Sequence, residues 1–324
     1  MDVRERPFVP SWVHADTITR SGHPRVRKSH SLTPLELKTL VALTRYPILN
    51  TEQIAAIIGS SYRFACYIVK TLKSKNNHYI EYCEAQQNDT PPFMHPPRYY
   101  RLAAAGIKEI QARGIDDPRW PEVHRLTHKA MEQNILLSFE LGNRNNPDVK
   151  ISRLTDILAD RRAPEPLKRA KYPQSIPLSR KRPDGKPAHY RMDGTFLLIE
   201  AKRVFFFPGI EAETGENQAK TVEEKKYRDI LDILHNKINL GYLGAKNVYF
   251  PFYLPHMPRA ADLMNRWNRV TERCPQFRPH ILFAVEPTLD RPLSDQPKAD
   301  GHALEQPYLY VGENGQAKQL RLID

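Results

Sequence analysis

The chain has 324 residues, and 40% of them are aliphatic, aromatic or sulfur-containing, which is enough for the packed cores of two ordinary domains. Lys and Arg number 49 against 37 Asp and Glu, which gives a net charge of +12. Because the basic residues are clustered along the chain, a polyanionic partner is favoured over a basic surface that is only solvated. The three cysteines lack zinc-ligand spacing, which argues against a zinc protein. No apolar run approaches the roughly 20 residues that span a bilayer, which argues against secreted and membrane-spanning proteins. We therefore expect a cytoplasmic protein.

The N-terminal third predicts a flexible basic arm over 1–30 and a first folded domain over 31–114. Thr33 is a hydroxyl N-cap, and Pro34 follows it at the first helical position. Apolar residues at helical spacing then predict a first helix, a second helix over 52–58, and a glycine turn before a third helix.

The third predicted helix, over 61–75, is the candidate DNA-contacting element. Helical spacing predicts that Phe64, Ile68, Val69 and Leu72 are buried. The residues 53–80 contain no Asp or Glu, so the remaining face of the helix is basic. The candidate DNA-binding residues are Arg63, Tyr67, Lys70, Lys73 and Lys75.

The segments that follow predict a wing. Residues 79–83 and 98–102 have the composition of paired strands, a proline-rich loop over 88–97 joins them, and a helix over 102–114 closes the domain. Helix, helix, glycine turn, basic helix and wing is the order of a winged helix-turn-helix. A winged helix that docks a protein instead of DNA is the alternative.

A linker over 115–121 precedes a second domain over 122–290, and 291–324 is treated as a C-terminal extension. We predict helices over 123–141, 221–234 and 259–273, and strands over 149–152, 190–199, 203–213, 247–254 and 279–285. The stretch from 153 to 172 is basic, proline-rich and without clear periodicity. This order predicts a mixed α/β fold with a central sheet flanked by helices.

Acidic residues fall on or between the two central strands, as metal-dependent nucleases require. The triplet from Glu200 to Lys202 resembles the E-x-K half of the PD-(D/E)xK nuclease signature. On one straight strand, however, Asp193 and Glu200 would be about 23 Å apart and on opposite faces, so they could not share a metal.

Two hairpin registers avoid this difficulty. In the first register the chain reverses at 200–202, Asp193 lies opposite roughly 209–211, and Glu211 and Glu213 approach it on one face; Pro208–Gly209 interrupts the second strand, where a bulge is expected. In the second register Asp193–Gly194 is the turn, and Asp184 returns toward Glu200. The residues alone leave both open.

Three stretches resemble the replication-relaxation family of bacterial plasmid and mobile-element proteins. They are the segment that begins Leu32-Thr33-Pro34, the segment from Thr127-His128-Lys129 through Glu140-Leu141-Gly142, and Met192-Asp193-Gly194-Thr195-Phe196 followed by 206–216. The resemblance covers about residues 32–290. It implies a restriction-endonuclease-like fold for the second domain.

The family's acidic pattern, carried onto this chain, selects the first register. It implies a catalytic set of Asp193, Glu211 and Glu213 with a lysine from the next helix, Lys225 or Lys226. The three carboxylates are also the implied metal ligands. In this chain Glu213 replaces the family's usual Asp, and Thr214–Gly215 inverts the usual Gly-Thr order.

Two residues of the first helix of the second domain are weaker candidates. Glu132 is a candidate fourth metal ligand, although a solvated helix face explains it equally well. His128 could contact the site, but a capped or core histidine is the simpler interpretation.

Two functions remain open at this point. One is a DNA-binding accessory or regulatory protein of a plasmid or mobile element, acting in replication, relaxation or mobilisation, with a nuclease-like scaffold. The other is an active DNA endonuclease or nickase, with Mg²⁺ as its cofactor, targeted by the winged helix. The expected partner is double-stranded DNA, with a homodimer or other mobile-element proteins as further candidates and no membrane. A repressor with a specific operator is a third interpretation.

Overall fold

The computed structural model describes residues 32–74, 78–83, 98–115, 126–213, 220–286 and 300–323. The chain divides into two compact units, 1–134 and 135–324, with the boundary inside a long helix. The predicted arm over 1–30, the proline-rich loop over 88–97 and nearly all of the predicted linker lie outside the described residues.

The first unit combines short helices with a small antiparallel sheet. Its elements are α1 (Pro34–Arg45), β1 (Leu49–Asn50), α2 (Thr51–Ile58), α3 (Tyr62–Leu72), β2 (Ile80–Tyr82), β3 (Tyr99–Leu102), α4 (Ala104–Gln111) and the start of α5 (Leu126–Asn145). β3 is the central strand and pairs antiparallel with both β1 and β2.

Local capping explains where these helices begin and end. The Thr33 hydroxyl accepts from the backbone N–H of Glu36, whose carboxylate accepts in return from the Thr33 N–H, a complete capping box. Asn50, and not Thr51, caps α2, which ends at Gly59 with φ +70°, a conformation that favours glycine. The predicted start of α1 and the glycine turn are therefore confirmed.

The prediction that Phe64 is buried is wrong. Ala65, Ile68, Val69 and Leu72 form the buried stripe of α3, whereas 44% of Phe64 is exposed. Ile68, Val69 and Leu72 are buried as predicted, but the small Ala65 occupies the remaining core position, which a pattern weighted toward large side chains assigns to Phe64.

The second unit contains most of the sheet structure. After α5 its helices are α6 (Leu154–Ala159), α7 (Glu165–Arg169), α8 (Lys220–His235), α9 (Ile238–Gly241), α10 (Met257–Val270) and α11 (His302–Glu305). Its strands are β4 (Lys150–Arg153), β5 (Ile176–Lys181), β6 (Pro187–Tyr190), β7 (Leu197–Glu200), β8 (Val204–Phe207), β9 (Glu211–Ala212), β10 (Phe250–Leu254), β11 (Ile281–Val285), β12 (Tyr308–Val311) and β13 (Ala317–Leu320).

These strands form a mixed sheet system, as the α/β prediction requires. One sheet has the order β13-β12-β11-β10-β9, in which β9, β10 and β11 are parallel and the other neighbours antiparallel. A second sheet has the antiparallel order β4-β7-β8. A parallel bridge between Phe206 and Val248 joins β8 to the segment before β10.

Aromatic side chains between α8, α10 and the central strands form the core of this unit. Tyr227 of α8 packs on Trp267 of α10, with 5.3 Å between the ring centroids, and on Phe252 of β10, with 5.9 Å. All three are buried, and each aromatic pair adds about 1 kcal/mol beyond the burial of its area. This core fixes the rotation of α8, which matters for the site below.

The structure departs from the predicted elements in several places. Residues 154–159 and 165–169 form α6 and α7 in the stretch predicted to lack clear periodicity, and the predicted strands over 190–199 and 203–213 are each interrupted. Residues 176–190 form the β5–β6 hairpin, where the sequence analysis predicts no strand between 153 and 189. Residues 308–320, predicted to lie in an extension, form β12 and β13, and β12 pairs with β11. Among the described residues, no helix is both long and apolar enough to cross a membrane.

Candidate active site

A tight chain reversal between β7 and β8 organises the site. The two strands pair from Leu197 opposite Phe207 to Glu200 opposite Val204. Glu200 and Lys202 therefore lie at the turn, and the Glu200 carboxylate pairs with Lys150 of β4 at 3.1 Å. The first predicted register is confirmed, and the second, with its turn at Asp193–Gly194, is wrong.

Asp193 reaches the opposite segment one step beyond this hairpin. Its carbonyl accepts from the Ile210 N–H at 2.8 Å, and its carboxylate oxygen Oδ2 lies 3.4 Å from the Ala212 N–H that donates to it. Residues 194–196 face only 208–209, so the register shifts by one, and the extra residue lies on the Asp193 side and not at Pro208–Gly209 as predicted.

Gly209 permits this close approach. Its φ is +147°, and a Cβ at this position would lie 2.6 Å from the Asp193 carbonyl oxygen. Only glycine accommodates both the backbone conformation and the contact.

Glu211 and Glu213 point to one face of β9 because alternate residues of a strand share a face. β9 is held by β10, where Glu211 lies opposite Phe252 and the Glu213 N–H donates to the Tyr253 carbonyl at 2.9 Å. Both carboxylate side chains are only 4% exposed. A buried carboxylate needs a charged or hydrogen-bonding partner.

Lys226 of α8 supplies that partner. Its Nζ lies 2.6 Å from Glu211 Oε2 and 3.3 Å from Glu213 Oε1. The neighbouring Lys225 is exposed. Of the two lysines that the sequence leaves as alternatives, the structure places Lys226 against the carboxylates.

The protonation of Glu211 reflects its burial. Burial, together with the charge of Asp193, raises the pKa of Glu211 to about 7 against the opposing effect of Lys226. The Tyr190 hydroxyl donates to Glu211 Oε1 at 3.2 Å. Burial lowers the pKa of Lys226, but the negative charges of Glu211 and Glu213 have the larger effect and hold this pKa well above its ordinary value. Glu211 is therefore poised to exchange a proton near neutral pH.

A second ion-pair network borders the carboxylates, and the sequence analysis did not identify it. Arg259 and Arg266 of α10 both pair with the buried Glu223 of α8, and Arg259 Nη2 lies 4.0 Å from Glu213 Oε2. The available signal was Glu223 itself. It falls on the apolar face of α8 with Tyr227, four residues away, and a carboxylate in a core position requires a buried cation.

The predicted DNA-binding residues of the first unit lie mainly on exposed positions of α3. Arg63, Tyr67 and Lys70 are exposed, Tyr67 by 61%. Lys73, the C-cap residue of α3, places its Nζ 3.3 Å from the ring centroid of Tyr82 and lowers the pKa of that tyrosine. Lys75 lies outside the described residues.

Glu132 and His128 belong to the part of α5 that lies in the first unit. Glu132 is buried, and its carboxylate accepts from Lys129 Nζ at 2.5 Å and from Gln133 Nε2 at 3.3 Å. The assignment of Glu132 as a fourth metal ligand stays a prediction.

Comparisons with family models, with curated proteins and with solved structures give no match for this chain.

Proposed function

We propose that this protein binds double-stranded DNA and that its second unit hydrolyses a phosphodiester bond with the help of a divalent cation. The observation that carries the proposal is the contact of Lys226 with both Glu211 and Glu213, next to Asp193, whose carboxylate accepts from the Ala212 N–H between them. Carboxylates and a lysine from neighbouring segments are the groups that metal-dependent phosphodiester hydrolysis uses.

The order of elements supports the same proposal. The helix α5 and strand β4 are followed, after α6, α7 and the β5–β6 hairpin, by β7 and the β8–β9 segment, and then by α8, α9 and β10. The acidic residues flank the β7–β8 hairpin. With α6, α7, the β5–β6 hairpin and α9 treated as insertions, this is the order expected of a restriction-endonuclease-like domain. The order supports the assignment at the level of fold only, and chemistry depends on the side chains.

The donor set suits a hard cation. Asp193, Glu211 and Glu213 would hold it entirely through carboxylate oxygens, the ligands that Mg²⁺ prefers. When bound, the cation would polarise the scissile phosphate and lower the pKa of a water. Lys226 would balance the negative charge of the phosphate, and Tyr190 would orient Glu211 through its hydrogen bond.

The first unit would supply duplex binding. Three helices, with two strands of a small antiparallel sheet after the third, agree with a winged helix-turn-helix, and α3 would be its DNA-contacting helix. Arg63 and Lys70 would contact phosphates, and Tyr67 between them would approach the groove. Membership of the replication-relaxation family, and hence action on plasmid or mobile-element DNA, is part of this proposal and rests on the sequence resemblance.

One observation favours a second candidate, a DNA-binding accessory protein without catalysis. Lys226 already pairs with Glu211 and Glu213, and both carboxylates are nearly inaccessible at 4% exposure. A buried ion pair of this kind would also serve as a structural link between α8 and β9.

Plasmid nicking distinguishes the two candidates. Purified protein is incubated with supercoiled plasmid and Mg²⁺, and open-circular product is quantified for wild type, Asp193→Asn and Glu211→Gln, with Lys225→Met as the matched control. We expect nicking by wild type and Lys225→Met, and its loss in the two carboxylate variants. DNA binding without nicking by the wild type would establish the accessory protein instead.

A further inference from the structure

The β5–β6 hairpin is a strongly basic, exposed element of the described second unit. All residues from 179 to 187 are exposed. Four of these nine are Lys or Arg, namely Arg180, Lys181, Arg182 and Lys186, whereas Asp184 is the one acidic residue of the segment. Exposure to solvent explains polar side chains here, but it does not explain the excess of basic over acidic residues.

The tip of the hairpin has a defined turn. The Arg182 N–H donates to the Lys186 carbonyl at 2.8 Å, and the Gly185 N–H donates to the Arg182 carbonyl at 2.9 Å. Gly185 has φ +76°, and Asp184 Oδ1 accepts from the Lys186 N–H at 3.1 Å. Pro-Asp-Gly in this order stabilises such a turn, so the basic side chains are held at one place.

The base of the hairpin is anchored to α8. Ile176, Leu178 and Ala188 are buried in the main core of the unit. Above them, the Ser179 N–H donates to Asp232 Oδ2 at 2.7 Å, and Arg180 pairs with Asp229, both of α8. Because Lys226 lies on the same helix, the hairpin and the carboxylates belong to one packed assembly.

A direct hydrogen bond joins the hairpin to the carboxylates. Tyr190, the last residue of β6, donates to Glu211. A duplex held by the hairpin would therefore be held next to the proposed site of hydrolysis.

The dimensions of the exposed part suit a DNA groove. Beyond Arg180, which α8 still holds, about three residues on each arm project about 10 Å at roughly 3.3 Å per residue. The major groove of B-DNA is about 8.5 Å deep and about 12 Å wide, and it admits a two-stranded β-ribbon. The narrow major groove of double-stranded RNA does not.

We propose that the β5–β6 hairpin is a second DNA-binding element, which enters the major groove of duplex DNA and contacts its phosphates through Lys181, Arg182 and Lys186. This inference rests on the proposed DNA partner, but not on cleavage. It assigns part of the affinity to the second unit, independently of α3.

Binding of the full-length protein to a labelled DNA duplex tests this proposal, with Ca²⁺ in place of Mg²⁺ so that cleavage does not interfere. Fluorescence anisotropy gives Kd as a function of salt for wild type, the hairpin variant K181A/R182A/K186A and the α3 variant R63A/K70A. The control variant K246A/R269A/K318A removes three exposed charges of the same unit away from the hairpin.

The hairpin variant is expected to raise Kd at least about tenfold and to lower the slope of log K against log salt by about 2.7, since each lost phosphate contact contributes about 0.9. The control should lie close to wild type. Circular dichroism and thermal unfolding check that all variants are folded.

Each outcome separates this inference from the proposed function. Wild-type binding with equal Kd values for the hairpin and control variants would overturn the inference and leave DNA binding through α3 intact. Absence of wild-type binding would overturn both. An equal loss on double-stranded RNA of the same sequence would overturn insertion into a DNA groove.

Discussion

Replacing Lys226 by Met removes the cation between two buried carboxylates while keeping the length of the side chain. Lys226 Nζ contacts Glu211 and Glu213, and the lysine side chain is 22% exposed against 4% for each glutamate. Without Lys226, two negative charges would remain in a medium that solvates them poorly.

The expected cost follows from this burial. Breaking a buried ion pair by removing one partner costs about 3–5 kcal/mol of unfolding free energy. Protonation of Glu211, whose pKa burial already raises to about 7, relieves part of this cost, so we expect about 3 kcal/mol at pH 8.

The pH dependence has a definite sign. Removing Lys226 raises the pKa of Glu211 in the folded state still further above its unfolded value. A carboxyl group with a raised pKa contributes stability that is fully present below its pKa in the unfolded state. This contribution is lost as the pH rises through its pKa in the folded state. The loss caused by Lys226→Met should therefore fall to about 1 kcal/mol or less near pH 5.

Urea unfolding followed by Trp267 fluorescence measures this effect. Trp267 is buried against Tyr227, the neighbour of Lys226, and replacing Trp12 and Trp120 by Phe leaves it as the only tryptophan. Lys225→Met is the matched control, because it removes the same charge from an exposed position one residue away; it should change stability by less than about 0.5 kcal/mol.

A double-mutant cycle with Glu211 completes the test. In the double variant Lys226→Met/Glu211→Gln the charge is removed from both partners, so we expect a coupling energy of roughly 2 kcal/mol. Equal stability of Lys226→Met and Lys225→Met at pH 8, with unchanged m-values, would refute the buried ion pair and the placement of α8.

Three further changes test other parts of the structure. Gly209→Ala should cost roughly 2 kcal/mol or more in urea unfolding, because its Cβ would meet the Asp193 carbonyl at 2.6 Å; a neutral result would exclude this close approach. The hydrogen bond to Glu286 is the largest cause that raises the pKa of His302 to about 9. The stability that protonated His302 contributes is therefore complete below about pH 6.5 and is lost as the pH rises through about 9. His302→Asn should abolish a decline of about 1–2 kcal/mol over that window, a value discounted for the exposure of the ring, and identical pH profiles would contradict this. Lys70→Ala should lower the salt slope of DNA binding by about 1, whereas an unchanged slope would remove Lys70 from the interface.

Local signals predicted much of the framework. Capping at Thr33 and the αL glycine at Gly59 follow from short-range chemistry, so the sequence sufficed there. The reversal after Ile199 could be reduced to two registers by strand geometry. The family resemblance selected the first of these registers, and the bridge between Asp193 and Ile210 confirms it.

The lysine that contacts the carboxylates could not be chosen in the same way. Lys225 and Lys226 are adjacent, and neighbouring residues on a helix point about 100° apart. Which of them faces β9 depends on how Tyr227 packs against the core, and this packing involves residues distant in sequence.

Two hairpins carried signals that the sequence analysis did not use. Pro183-Asp184-Gly185 between short strands is a turn signature, but the surrounding prolines and basic residues obscured the strands. Asn314–Gly315 marks the turn between β12 and β13. The pairing of β12 with β11, however, links segments separated by an intervening stretch of chain, and no local pattern specifies it.

Anomalous diffraction from crystals soaked in Mn²⁺, a substitute for Mg²⁺, tests the central claim most directly. One strong peak is expected between the carboxylates of Asp193, Glu211 and Glu213, and it should disappear in Glu211→Gln crystals. Crystals with ordered carboxylates but without a peak at this position would contradict the proposed metal site.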